Sequence, residues 1–106
     1  MNFLTRREEI ILLSVWKLKE EAYGMAIKKH VSKITGKRWL FGSIYTPLEK
    51  LLEKGYLQSE KGESTPERGG RAKVFFSLTK DGRNALIDLQ KIYNFLWNDI
   101  PALKAE

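Results

Sequence analysis

Residues 42–57, GSIYTPLEKLLEKGYL, read as a short amphipathic helix that stops at a glycine and runs straight into a strand. Ser43 is placed to cap the start, and Pro47 is tolerated only near a first turn, so the helix is expected from Ser43 to about Lys54. Ile44, Leu48, Leu51 and Leu52 recur at helical spacing and form one buried stripe. Ser43, Thr46 and Lys50 fall on another face, all small, polar or cationic. Such a face suits a DNA groove, where hydroxyls and amines meet phosphates and base edges. It also suits the solvated side of an ordinary helix, and the flanking sequence decides between the two.

Upstream, Thr5 and Glu8 form a capping box ahead of an apolar-rich helix over about 6–19. A break around 20–24 precedes a second helix over about 24–34, with Met25, Ile27, Val31 and Ile34 on its apolar side and Gly36 as its stop. A basic connector, Lys37 to Leu40, leads to the third helix. Downstream the period changes from 3.6 to about 2. Residues 56–61 and 73–78 suit strands, with Val74, Phe76 and Leu78 on one side of the second. Between them GESTPERGGR, residues 62–71, is a long polar hairpin loop. Thr79 caps a last helix expected to run to about Ile100, where Pro101 discourages continuation. This order specifies an α+β, mainly α chain: a winged helix-turn-helix of three helices and a two-stranded wing, plus a C-terminal dimerisation helix. The winged-helix unit is assigned to residues 1–78 and the C-terminal helix to 79–106, within one compact domain.

Nineteen basic residues against thirteen acidic give a net charge of +6, which favours a polyanionic partner. With no cysteine and one histidine, disulfides, cysteine-based zinc sites and the usual nucleophilic triads are excluded or nearly so, and no metal or cofactor is expected. Gly69 and Gly70 lie in a hairpin and open no helix, unlike a phosphate-cradling loop. An enzyme is therefore not expected. No apolar run approaches a membrane span and the N-terminus has no signal-peptide plan, so the expected location is cytoplasmic, with no membrane partner.

Residues 22–48 contain no acid, yet hold Lys28, Lys29, Lys33, Lys37 and Arg38. Lys28, Lys29, Lys37 and Arg38 precede the third helix, where backbone phosphates would lie. Arg68, Arg71 and Lys73 make a second basic cluster on the wing, partly offset by Glu63 and Glu67, and Gly69 and Gly70 leave it able to reach a minor groove. Ser43, Tyr45, Thr46 and Lys50 are the candidates for the groove-facing surface; the alternative for Tyr45 is a ring packed at the domain edge. Glu49 and Glu53 are expected to point aside, and His30 is assigned no role.

In the last helix Leu86, Leu89, Tyr93, Leu96, Ile100 and Leu103 alternate at steps of three and four, a heptad seam that a second copy would bury. Packing against the first helix is the alternative. A two-fold pair would present two recognition helices to successive major-groove turns, roughly 34 Å apart.

Over about residues 9–86 the chain resembles the PadR family of winged-helix transcriptional regulators. Gly42-Ser43-Ile44-Tyr45-Thr46-Pro47-Leu48, followed by Leu51, Gly55 and Leu57, is similar to that family's recognition-helix run. Tyr23-Gly24 resembles the opening of its second helix, and Gly69-Gly70-Arg71 with Phe75 to Gly82 resembles its wing and the start of its final helix. The family often has two basic residues before the aromatic pair; here Lys73 is followed by Val74, so one expected wing charge is missing. The short, single C-terminal helix looks like that of the smaller members. The resemblance implies that Tyr45 contacts DNA. With the seam and the basic surface, the leading reading is a sequence-specific homodimeric repressor on a palindromic double-stranded operator. Some small members bind planar aromatic or cationic compounds between aromatic side chains at the dimer interface. Tyr93 and Trp97, one helical turn apart, are the corresponding candidates for a small aromatic effector, or simply packing residues. The other readings are a protein-interaction module and an architectural module that binds DNA without sequence preference.

Overall fold

Thr5 and Glu8 cap the first helix reciprocally: the Thr5 hydroxyl accepts the Glu8 N–H at 3.1 Å and the Glu8 carboxylate accepts the Thr5 N–H at 2.8 Å. In this computed structural model, which describes residues 3–64 and 72–101, the elements are α1 (Arg6–Leu18), a 3-10 turn (Lys19–Glu21), α2 (Gly24–Thr35), α3 (Phe41–Glu53), β1 (Leu57–Ser64), β2 (Ala72–Leu78) and α4 (Lys80–Trp97). Gly36 ends α2 with a left-handed φ of 67°, as its position in the sequence predicts.

The three first helices bury one face each: Ile11, Leu12 and Val15 from α1, Ile27 and Val31 from α2, Ile44, Leu48 and Leu51 from α3. Leu57 and Phe76 from the strands close the core. Each such side chain contributes roughly 1.5–3 kcal/mol on leaving water, so this cluster fixes how the helices sit on one another.

β1 and β2 pair antiparallel, from Leu57 opposite Leu78 to Lys61 opposite Val74, with an irregularity before Ser64 opposite Ala72. β1 continues past Lys61, where the sequence pattern ends it. Gly62 lies under the Phe75 ring, whose Cε2 would be 2.7 Å from a Cβ at that position. The missing side chain thus makes room for a cross-strand aromatic. Phe76 and Leu78 face inward while Val74 is exposed, so the inward side of β2 loses burial towards the wing. On its other edge β2 meets the segment before α2: the Phe76 N–H donates to the Ala22 carbonyl at 2.7 Å, and Tyr23 bridges Phe75.

α4 is fastened at its start. The Thr79 hydroxyl accepts the Gly82 N–H at 3.0 Å and donates to the Gly55 carbonyl at 2.6 Å, while Gly82 packs directly on the Tyr56 carbonyl. Further along, the Tyr93 hydroxyl donates to Glu9 on α1 at 2.7 Å. The helix ends at Trp97 rather than near Ile100: Asn98 is extended and Asp99 has a φ of 60°. Ile100, expected as the last rung of the seam, therefore lies outside the helix. Pro101 keeps residue 100 out of the helical region in any case. Arg68, Arg71, Gly69, Gly70 and Leu103 fall outside the described residues.

Candidate nucleic-acid interface

α3 starts at Phe41, two residues before the expected Ser43 cap. The N-cap is Leu40, an extended residue without a capping side chain, and the Ser43 N–H closes a turn onto its carbonyl at 3.0 Å. Pro47 consequently sits in the helix interior, where it has no N–H to give the Ser43 carbonyl. Its ring is buried with Ile44, Leu48 and Leu51, and that burial offsets the missing bond.

Opposite this stripe, Gly42, Tyr45, Thr46 and Lys50 are exposed, and Ser43 is half-buried. Glu49 and Glu53 do not turn aside. Both are exposed, and Glu49 follows Tyr45 by one turn, on the same face. The acid-free part of the outer face is therefore the first two turns, Phe41 to Leu48.

Those two turns are braced against α2 and the wing. The Tyr45 ring stacks on Phe41, with centroids 6.0 Å apart and planes 26° from parallel. Its hydroxyl end lies over Gly24, where a Cβ would also come within 2.9 Å of Cζ. Tyr45 stays 42% exposed, so its ring edges α3 without being packed away. The Lys28 ammonium lies 5.2 Å from the centre of the Phe41 ring. Tyr23, next to Gly24, meets Phe75 edge-on at 5.7 Å and carries the Lys73 ammonium 3.8 Å above its ring. Lys73, Tyr23, Gly24, Tyr45, Phe41 and Lys28 thus form one chain of contacts across β2, α2 and α3. Neither α2 nor α3 has an acid in its first turn or a side-chain cap, so the partial positive charge of their first N–H groups is left uncancelled.

Lys29, Lys37 and Arg38 are exposed. The connector carrying the last two is held by Trp39, whose indole N–H donates to the Thr35 hydroxyl at 2.9 Å. The Arg7 guanidinium stands 5.6 Å from the Trp39 ring. Phe41, Tyr23 and Arg7 were not among the sequence candidates. Phe41 could have been found, since it precedes Tyr45 by four residues; the Tyr23–Lys73 and Arg7–Trp39 contacts join distant segments and carry no local signal.

At the other end of the molecule, Leu86 and Leu89 are half-buried, whereas Phe95, Leu96 and Trp97 are exposed, Phe95 to 81%. Tyr93 is engaged within its own chain by Glu9, and the Arg6 guanidinium lies 5.9 Å from its ring. The hydrogen bond to Glu9, with burial and the Glu9 charge, raises the Tyr93 pKa above its ordinary value, against the opposing Arg6 charge. A hollow of about 520 Å³ lies under the wing, and one of about 450 Å³ beside Tyr93 is walled by Leu13, Trp16, Leu86 and Ile87. Trp16, not Trp97, is the second aromatic of that hollow. Among the described residues no His, Cys, Asp and Glu cluster could hold a metal ion, and no helix is long and apolar enough to cross a membrane.

No curated protein matches the chain significantly. RosR of H. salinarum is 25% identical in sequence, with a TM-score of 0.69 over 92% of this chain and 81% of that one. A PadR-like transcription factor from Bacteroides fragilis is also 25% identical, with a TM-score of 0.69 over 86% of this chain and 85% of that one. The Streptococcus mutans protein smu.1704 shares the fold at 22% identity, with a TM-score of 0.65 over 97% of this chain and all of that one. The model of the PadR-like transcriptional regulator family matches residues 12–88. Winged-helix architecture, an outer face of α3 braced by basic and aromatic residues, and this match agree: the chain belongs to the PadR-like family of transcriptional regulators, which bind DNA and are not enzymes.

Proposed function

We propose that the protein is a sequence-specific repressor that binds a palindromic double-stranded operator as a homodimer. The observation that carries this reading is the linked surface running from Lys73 through Tyr23, Gly24, Tyr45 and Phe41 to Lys28. α3 places its first two turns in the major groove, with Ser43, Tyr45 and Thr46 towards base edges and Lys50 towards the groove wall. Lys28, Lys29, Lys37, Arg38 and Lys73, with Arg68 and Arg71 of the wing, meet phosphates, as do the uncapped starts of α2 and α3.

Residues 1–78 form the DNA-binding unit and α4 with the residues after it the dimerisation segment. Ile87, Phe95, Leu96 and Trp97 on α4, with Leu13 and Trp16 of α1, leave an apolar surface that a second copy covers. The hollow beside Tyr93 has the volume of a small-molecule site, and its Tyr93 and Trp16 walls suit a planar aromatic effector. Quenching of tryptophan fluorescence by such compounds, retained in Trp97→Phe and lost in Trp16→Phe, supports this placement; the reverse pattern moves the effector to Trp97.

Selection of bound duplexes from random-sequence DNA, followed by fluorescence anisotropy, tests the main reading. A consensus bound at least tenfold more tightly than its scrambled version is expected. Equal affinity for both leaves an architectural DNA-binding protein. Lys28→Ala and Lys50→Ala should each lower affinity for all sequences and reduce the slope of log affinity against log salt by about one per two-fold-related contact. Unchanged affinity in both variants would point to an interaction module instead.

A further inference from the structure

Four cations among the described residues stand against aromatic rings, and three of them are accounted for. Lys28 and Lys73 lie on the surface proposed to meet DNA, and Arg6, 5.9 Å from the Tyr93 ring, has the Glu9 carboxylate 3.8 Å away. Arg7 is the fourth. It is exposed on the first turn of α1, where a cation opposes the positive end of the helix dipole and does not help the helix. Both acids beside it are engaged elsewhere, Glu8 by Thr5 and Lys54, Glu9 by Arg6 and Tyr93. Among the described residues the Arg7 guanidinium has no carboxylate partner, yet it stands over the Trp39 ring at 5.6 Å. That ring is fixed. Its indole N–H donates to the Thr35 hydroxyl at 2.9 Å, its backbone N–H donates to the Ser32 hydroxyl at 3.4 Å, and its half-buried side chain packs on the core. Contact with a ring face uses none of the five N–H donors of a guanidinium, and a rigid indole holds them ready for a ligand.

Such a fork suits a phosphate or a carboxylate, taken by two parallel N–H bonds. Its surroundings choose between them. Trp39 follows the basic pair Lys37 and Arg38 and precedes Leu40, the N-cap of α3, and no acid occurs in residues 22–48. The ring thus stands two residues before the first turn of the proposed groove helix, among cations that favour a polyanion. A helix in the major groove has phosphates along both flanks, since that groove is only about 12 Å wide. We propose that Arg7, held on Trp39, binds a backbone phosphate of the strand flanking the start of α3, beside those met by Lys37 and Arg38, with Trp39 as its positioning residue. This rests on the placement of α3 in the major groove. The grip then includes α1, an element that brings no residue to base edges, so Arg7 raises affinity for every sequence and helps to set the register of α3 in the groove.

The test uses the full chain and the duplex selected from random-sequence DNA, with each phosphate of one half-site replaced in turn by an uncharged methylphosphonate. Arg7→Gln should lower affinity about tenfold, the lower end for a hydrogen-bonded charge, and reduce the slope of log affinity against log salt by about one per half-site. One methylphosphonate that weakens the wild type should leave Arg7→Gln unaffected, and that phosphate is the contact. Arg7→Lys should keep the slope and recover part of the affinity, because the charge remains and the fork does not. Trp39→Phe should weaken binding about threefold, the effect of a poorer cation–π contact, and weaken Arg7→Gln no further. Equal losses in both backgrounds would detach Trp39 from Arg7 and overturn the positioning role. An Arg7→Gln variant with unchanged affinity and slope, and only a lower melting temperature, reduces the stack to a fold contact; it overturns the proposal and leaves sequence-specific binding intact. A changed slope with no methylphosphonate position falling silent puts the charge at a distance and also overturns it. Failure of the selection to enrich any sequence overturns the groove placement itself, and this inference with it.

Discussion

Lys54, at the end of α3, donates to the Glu8 carboxylate at 2.7 Å although the two stand 46 positions apart. Glu8 is only 3% exposed and closes the capping box of α1 at the same time. One carboxylate therefore both terminates a helix and receives the cation that registers α3 against it. Lys54→Ala removes the counter-charge and strands Glu8. Because Lys54 itself is partly solvated, the expected loss is about 1–3 kcal/mol, below that of a fully buried pair. Thermal unfolding at neutral pH measures it, and Lys54→Arg should recover most of it.

The same pair sets a response to acid. Burial pushes the Glu8 pKa up, but the Lys54 hydrogen bond, the bond with Thr5 and the Lys54 charge together outweigh it and hold the group below its ordinary 4.5. A carboxyl whose folded pKa is depressed contributes stability above the unfolded value and loses it as pH falls through the folded one. Melting temperature should therefore drop below about pH 4.5 more steeply in the wild type than in Lys54→Ala, where the cause of the depression is gone.

His30 gives a separate, milder window. Burial, then Lys17 on α1 and Lys33 on its own helix, lower its pKa from 6.5, and its buried Nε2 has no hydrogen-bond partner among the described residues. The unfolded chain takes up the proton first, so stability falls as pH drops from 6.5 to the folded pKa and is unaffected by this group well above 6.5. His30→Leu should flatten the melting temperature between pH 7.5 and 5.5. An unchanged slope would remove His30 from the account.

Two glycines should respond oppositely to alanine. At Gly82 the new Cβ would strike the Tyr56 backbone, which is fixed by the α3–β1 junction; a loss of at least about 2 kcal/mol is expected. At Gly24 it would strike only the far end of the Tyr45 side chain. Helix propensity there favours alanine by up to about 1 kcal/mol, so stability should change little. The displaced ring, however, leaves its stack on Phe41, and DNA affinity should fall several-fold. Chemical denaturation and anisotropy, run on both variants, separate the two effects.

For the dimer, Leu96→Glu places a charge on a side chain that is 60% exposed in the single chain. The fold should survive with an unchanged circular dichroism spectrum, and light scattering should report a monomer. A mass still twice that of the chain would move the interface off α4.

Local chemistry was readable in the sequence. The Thr5–Glu8 box, the left-handed Gly36, the cap at Thr79 and the change of period at residue 56 each lie within a few residues, and the structure follows them. The start of α3 was misread because Leu40 offers no capping side chain, while Ser43 imitates one and buried Pro47 imitates a first turn. Glu49 was placed by its charge rather than its spacing. The contacts that brace the proposed DNA-facing surface, Lys73 on Tyr23 and Tyr45 over Gly24, and those of α1 with Lys54 and Tyr93, join residues far apart in the chain. No pattern of propensity or period encodes such pairs; they exist only once the core has fixed the helices.

The bond from Phe76 to the Ala22 carbonyl and the bridge of Phe75 to Tyr23 weld the base of the hairpin to the first residues before α2. α3 leans on the same spot through Tyr45 and Gly24. α3 and the hairpin base are thus tied to one spot, and with α3 in the groove as proposed the molecule would meet DNA as a caliper with its jaws locked. Under that placement, duplexes whose groove spacing departs from the setting would have to deform to be held, and part of the selectivity would reside in the stiffness of the DNA rather than in any base touched.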